Sequence, residues 1–129
     1  MELKLGCNKG SATLETAVML LILIIMVTGF MFLINAVTVY SVAQTAAREG
    51  AREYAITDNA SKAARKAKDE LSIGGIEPSS AKITTESAGR ERRVKVTIDY
   101  PIYIPLIGKS DIQIQGGAVF KSVKEVGNL

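Results

Sequence analysis

Histidine and tryptophan are absent from the 129 residues, and cysteine occurs once, as Cys7. Without His, and with a single Cys, the usual ligand sets for zinc and haem cannot be assembled. The same shortage removes the nucleophile–His pairs of familiar hydrolases. A Ser–Lys pair remains formally available, but Lys109 and Ser110 are adjacent strand residues and point to opposite faces. No intramolecular disulfide can form, which excludes a disulfide-stapled secreted domain. The net charge is only +3. The densest basic stretch, Arg90, Arg92, Arg93 and Lys95, has no interleaved aromatics, so a nucleic-acid platform is not expected. No cofactor, no metal and no enzymatic activity are expected from this composition.

Charge is also missing from one long stretch. Between Thr16 and Ala47 there is no Asp, Glu, Lys or Arg. Its first part is an almost continuous apolar run from Ala17 to Ile34, interrupted only by Thr28 and Gly29. A bilayer-spanning helix needs about 20 mostly apolar residues. A chain of this length supports one domain, and what remains has too little apolar surface to wrap such a rod. A membrane span is therefore expected. Beyond Asn35 the run becomes mixed, with Thr38, Tyr40, Ser41, Gln44 and Thr45 among Ala and Val, and Arg48, Glu49, Arg52 and Glu53 return it to water. A single helix from Ser11 to Ile56 would measure about 69 Å, about twice the hydrocarbon thickness, so part of it must project. Lys4 and Lys9 make the N-terminal flank modestly basic, which places that end in the cytoplasm and the C-terminal part outside.

A carboxylate, Glu15, stands directly before the apolar run. Alone it reads either as an N-terminal charge favoured by the helix dipole or as a functional charge at the membrane margin. Its surroundings, Gly10-Ser11-Ala12-Thr13-Leu14-Glu15, resemble a type IV prepilin junction. There a short basic leader ends in Gly, Glu follows at the fifth mature position, and a long apolar helix comes next. The resemblance implies cleavage between Gly10 and Ser11 by a prepilin peptidase. It also implies a mature chain without cysteine, and a new ammonium at Ser11 four residues from Glu15. In a filament the amine of one subunit can neutralise the carboxylate of a neighbour inside an apolar core, where an unpaired charge would be expelled. Two other processing signals are weaker. Leu5-Gly6-Cys7 lacks the apolar segment that a lipobox follows. Asn35-Ala36 and Val42-Ala43 lie behind an apolar region longer than the about 7–15 residues of a secretory signal.

Further on, Ala46-Ala47-Arg48-Glu49-Gly50-Ala51-Arg52-Glu53-Tyr54-Ala55 is similar to the Ala-Arg-Glu-Gly-Ala-Arg segment of TadE-like proteins, pilin-like components of the Tad (tight adherence) pilus system. The similarity runs from Gly10 to Ala55, and more loosely into the strand containing Tyr100-Pro101. Thr16 stands where the family often has Phe, and Asn35-Ala36-Val37 replaces a common aromatic-acidic patch. Read from the residues alone, Glu49 and Arg52 are spaced to pair on a helix face. Ala46, Ala47, Gly50 and Ala51 offer small surfaces. The segment is then either a solvated helix or a packing site for a neighbouring helix or the protein's own sheet. Arg48, Glu49, Gly50 and Arg52 are the residues to examine for such contacts, and Gly50 is a candidate bend.

The remaining sequence reads as α+β. Asp58 or Asn59 can cap a second helix from Ala60 to Leu71, stopped by Gly74-Gly75 and Pro78. From Ala81 the hydrophobic period becomes two. Ala81, Ile83 and Thr85 form one strand, Ser87 to Glu91 a turn, and Val94, Val96, Ile98 and Tyr100 a second strand. Pro101 and Pro105 are expected to break or redirect the chain. Leu106-Ile107-Gly108 fits a loop. Ile112 and Ile114 begin a further strand, and Gly116-Gly117 suggests a bulge before Ala118 to Val123. Three or four antiparallel strands would pack on an apolar stripe of Val39, Val42, Ala43 and Ala46.

The expectation is thus a leader (1–10), a transmembrane and stem helix (11–57) and a soluble α+β head (58–129). The resemblance implies a pseudopilin or minor pilin, assembled with other pilin-like subunits and the pilus machinery into a filament that serves surface adhesion. It would lie in the cytoplasmic (inner) membrane, or in the extracellular pilus. The alternative is an unprocessed single-pass anchored envelope protein whose extracytoplasmic head binds a partner.

Overall fold

The computed structural model describes residues 5–104 and 107–123. The basic residue Lys4 of the leader, and Pro105 and Leu106 of the expected loop, lie outside these. The chain divides into two compact units, residues 1–35 and 36–129, and helix α1 (Leu5–Thr57) contributes to both.

In the first unit, α1 carries its large apolar side chains in the open from Leu14 to Ile34, except the half-buried Phe32. No part of its most apolar window is buried within the protein. This is the reverse of a soluble core helix, and among the described residues one helix is long and apolar enough to cross a membrane. Such a span must satisfy its polar groups internally. Thr16 Oγ1 donates to the Ala12 carbonyl at 2.9 Å and Thr28 Oγ1 to the Ile24 carbonyl at 2.8 Å. The helix assignment runs through both Gly29 and Gly50 without a break.

The second unit contains the rest of α1, helix α2 (Ala60–Ile73), a single 3₁₀ turn at Pro78–Ser80, and strands β1 (Ala81–Ala88), β2 (Glu91–Ile104) and β3 (Gly108–Lys121). The strands form one antiparallel sheet in the order β1-β2-β3. Of the two cap candidates, Asn59 fills the role. Its side chain accepts from the Ser61 and Lys62 amides at 3.0 and 3.2 Å. Asp58 instead supplies the turn between the helices, with φ +53°, a left-handed conformation that Asp tolerates better than most residues. At the β1–β2 turn Gly89 has φ +57° and Ala88 pairs with Glu91. Gly89 is therefore the first residue of a two-residue hairpin turn, where a positive φ is needed.

One cluster holds this unit together. Ala43, Ala46, Ala47, Ala51 and Tyr54 of α1 meet Ala63, Ala67 and Leu71 of α2 and Val94, Val96 and Ile98 of β2. Leu71, Val94 and Val96 are the largest fully buried side chains, each worth about 1.5–3 kcal/mol of transfer free energy. Most of the helix side of this core is alanine, so the core is thin and depends on close backbone approach rather than bulk.

Three sequence expectations are corrected. Pro101 does not break the strand: β2 continues to Ile104, with Pro101 opposite Asp111. It lies beyond the last β1 pair, Ala81 with Ile98, where one side of β2 has no neighbouring strand and a missing N–H is tolerated. Gly116-Gly117 form no bulge, because the β2–β3 register is continuous from Glu91–Lys121 to Ile104–Gly108. Gly116 instead lies against α1: a β-carbon there would stand 2.6 Å from the Ala43 carbonyl carbon and from the Gln44 nitrogen. Arg92 does not belong to an open basic patch. Its Nε donates to Asp58 Oδ1 at 2.7 Å, its guanidinium lies 5.6 Å from the centre of the Tyr54 ring, and its side chain is only 12% exposed. The Asp58 partner is 42% exposed, which keeps the ion pair modest. Replacing Arg92 with Ala is expected to lower stability by about 1–2 kcal/mol, counting the pair and the ring contact. Thermal unfolding of the detergent-solubilised chain measures it, and an unchanged midpoint would mean the latch contributes nothing.

Candidate functional site

The junction residues sit on the first turns of α1. Gly10 and Ser11 are within the helix and exposed, and a β-carbon at Gly10 would meet nothing within 4 Å. The peptide bond between them is thus exposed and in helical form. Glu15 lies one turn further on and is exposed. Positions i and i+4 share a helix face, so Ser11 and Glu15 present their groups on the same side of α1. The adjoining apolar surface, from Leu14 onward, has no cover within the unit. A carboxylate at the rim of a bare apolar rod can stay hydrated alone, or be buried against a cation when another rod covers it.

The second group of residues lies on the α1 portion of the other unit, and the structure separates its members. Gly50 is buried: a β-carbon there would stand 3.1 Å from the Ala67 β-carbon, 3.2 Å from the Ala63 carbonyl oxygen and 3.3 Å from Val94 Cγ1. The small residues of this segment, Ala46, Ala47, Gly50 and Ala51, are therefore used by the protein's own α2 and sheet. Arg48 and Arg52 are exposed, and Glu49 is half-buried. Any contact these charged side chains make with another subunit starts from a solvated state. The basic face of α2 is solvated too, with Lys66 Nζ and Glu70 Oε1 paired at 3.4 Å.

The sequence reading missed Gln44. Its Nε2 donates to the Gly117 carbonyl at 2.9 Å and its Oε1 accepts from the Gly117 amide at 3.2 Å. One amide side chain thus satisfies both main-chain groups of a residue on the outer strand, closing one rung of an edge that would otherwise be open. The available signal was a lone Gln in an apolar stem opposite a Gly-Gly pair, which is too little to pair them across 73 positions.

The matched segment contains the exposed apolar stretch of α1 and continues into its buried part. Residues 10–52 match the family model described as TadE-like protein. The matched stretch opens at Gly10, takes in Glu15 and the whole apolar helix, and ends at Arg52 inside α1, short of the sheet. The TadE-like family is structural and non-enzymatic, and the match suggests a pilin-like protein associated with the Tad pilus. The layout of a long N-terminal apolar helix and a small three-stranded antiparallel sheet is α+β and pilin-like. No curated protein and no solved structure matches the chain. Among the described residues no cluster of potential metal ligands occurs.

Proposed function

We propose that the chain is a structural subunit, a pseudopilin or minor pilin, of a Tad-type pilus. In this reading a prepilin peptidase cuts between Gly10 and Ser11, and the mature chain waits in the cytoplasmic membrane with its N-terminus inside and its sheet outside. It then joins other pilin-like subunits through the apolar face of α1. Glu15 pairs with the Ser11 amine of a neighbour and so sets the register of packing. The exposed Arg48 and Arg52 and the half-buried Glu49 are the candidate contacts above the membrane. The observation that carries the reading is the TadE-like match, which begins at Gly10 and spans Glu15 and an apolar helix left wholly bare within the protein. An isolated soluble domain would have no use for such a surface.

The decisive experiment is the mass of the N-terminal peptide of the membrane-extracted protein, produced in a host with a working prepilin peptidase. A start at Ser11 is expected. An intact Met1 would favour the anchored envelope protein with a partner-binding head. A start near Val37 or Gln44 would mean signal-peptide release, and the pilus reading would be wrong.

A further inference from the structure

The charges of the stem are arranged unlike those of α2. On α2, residues four apart are of opposite sign, Arg65 with Asp69 and Lys66 with Glu70, and the second pair closes at 3.4 Å. That pattern stabilises a solvated helix by itself. On the stem, residues four apart are of like sign, Arg48 with Arg52 and Glu49 with Glu53. Positions i and i+4 share a helix face, and like charges there repel. The stem thus carries a basic column and an acidic column, each weakly unfavourable in the single chain. Glu49 and Arg52 are spaced to pair between the columns, yet no ion pair joins any of the four to another described residue.

Neither column belongs to the core, which takes Ala43, Ala46, Ala47, Ala51 and Tyr54 from the stem. Arg48 and Arg52 are exposed, and Glu49 and Glu53 are half-buried. Each step along a helix turns about 100°, so the two columns are neighbours on the part of the stem that the core leaves wholly or partly uncovered. The signs decide what fits there. An acidic lipid surface would attract the Arg column and repel the Glu column, and a basic surface would do the reverse. A second copy of the stem, lying alongside in the same direction, supplies a complement to each. Arg48 and Glu49, and Arg52 and Glu53, differ in height by only about 1.5 Å, so both pairs can form across one parallel contact.

We propose that the column of Arg48 and Arg52 pairs with the column of Glu49 and Glu53 on a second copy of this chain, packed parallel to the first. The inference rests on the pilus reading, which brings copies together in one membrane and in one orientation. On contact, each column exchanges a repelling neighbour on its own helix for an attracting one on the next. Such complementarity fixes which faces meet more than it adds affinity.

Charge reversal tests the partner. Full-length chains with Cys7→Ser and Thr45→Cys carry one thiol, at an exposed position of the stem one turn before Arg48 and Glu49. They are treated with a short bismaleimide in membranes of a host with a working prepilin peptidase. Reversal of one column, by Arg48→Glu with Arg52→Glu or by Glu49→Arg with Glu53→Arg, is expected to lower the cross-linked dimer at least about fivefold, because each pair becomes a repulsion. Reversal of both columns in one chain keeps the net charge and re-creates the complement, and is expected to restore at least about half of the dimer. Unchanged circular dichroism of the purified variants checks the fold. Absence of the dimer with native columns, or a dimer insensitive to single-column reversal, would overturn the pairing. Loss in all three variants would also overturn it, and would place a subunit of fixed charge against the stem in place of a second copy. The N-terminal mass of the same membrane pool reports the pilus reading separately. A start at Ser11 with an insensitive dimer leaves that reading standing without this contact. An intact Met1 with the expected charge pattern supports the pairing and removes the pilus reading.

Discussion

Glu15→Ala is expected to leave membrane insertion and cleavage after Gly10 intact while filament number falls at least about tenfold. The apolar run begins after Glu15 and remains long enough to span the bilayer without it. The bond proposed for cleavage lies four residues upstream in an open stretch of α1. In the proposed filament, the substitution removes the partner of the Ser11 ammonium. In water that group needs none. Between packed apolar helices an unpaired charge costs about 3–5 kcal/mol, as when one member of a buried pair is deleted. Each incorporated subunit would bear that cost, so the defect belongs to assembly and not to folding. Sheared filaments quantified by immunoblot, alongside the N-terminal mass of the membrane pool, separate the two steps. Glu15→Asp, which keeps the charge on a shorter arm, should recover part of the yield. Normal filament numbers in the alanine variant would show that Glu15 sets no register.

The second large effect is expected inside the fold. Gly116→Ala would place a β-carbon 2.6 Å from two backbone atoms of α1 and 2.7 Å from a third, the Ala43 carbonyl oxygen. Helix backbone cannot give way as a side chain can, so the sheet must retreat from the stem. Overpacking usually costs about 1–3 kcal/mol, occasionally more, and a clash with backbone belongs at or above the top of that range. Retreat would also pull Gly117 away from Gln44 and loosen the thin alanine core. Gly117→Ala is the matched control: its nearest neighbour would be the Val94 carbonyl oxygen at 3.9 Å, an ordinary contact, and its cost should lie within about 0.5 kcal/mol. Protease resistance and thermal unfolding of the two full-length variants make the comparison. Equal stability of the pair would mean that helix and sheet are not held at the separation described here.

Much of the fold is legible along the chain because its signals are local. A charge-free run ending in Arg48 and Glu49 is visible residue by residue, and so is the period of two from Val94 to Tyr100. The candidate processing and register residues are equally local, since Gly10, Ser11 and Glu15 derive their meaning from spacing to one another and to the apolar run. The readings that needed correction share a different property. Pro101 and Gly116-Gly117 were interpreted by their intrinsic effect on a strand, but their roles depend on neighbours. Pro101 is tolerated because β1 has already ended beside it, and Gly116 is required because a helix backbone passes close by. Arg92 belonged to a basic cluster in sequence, and Asp58 and Tyr54, far away in the chain, remove it from that cluster in space.

The sequence by itself determined the apolar helix, the carboxylate at its margin and the alternation of the strands, because each depends on covalent order and a fixed backbone period. Only the tertiary structure decided which small residues are consumed by the protein's own core, which main-chain groups Gln44 satisfies, and which partners Arg92 takes. Those depend on distances between segments that no local period encodes.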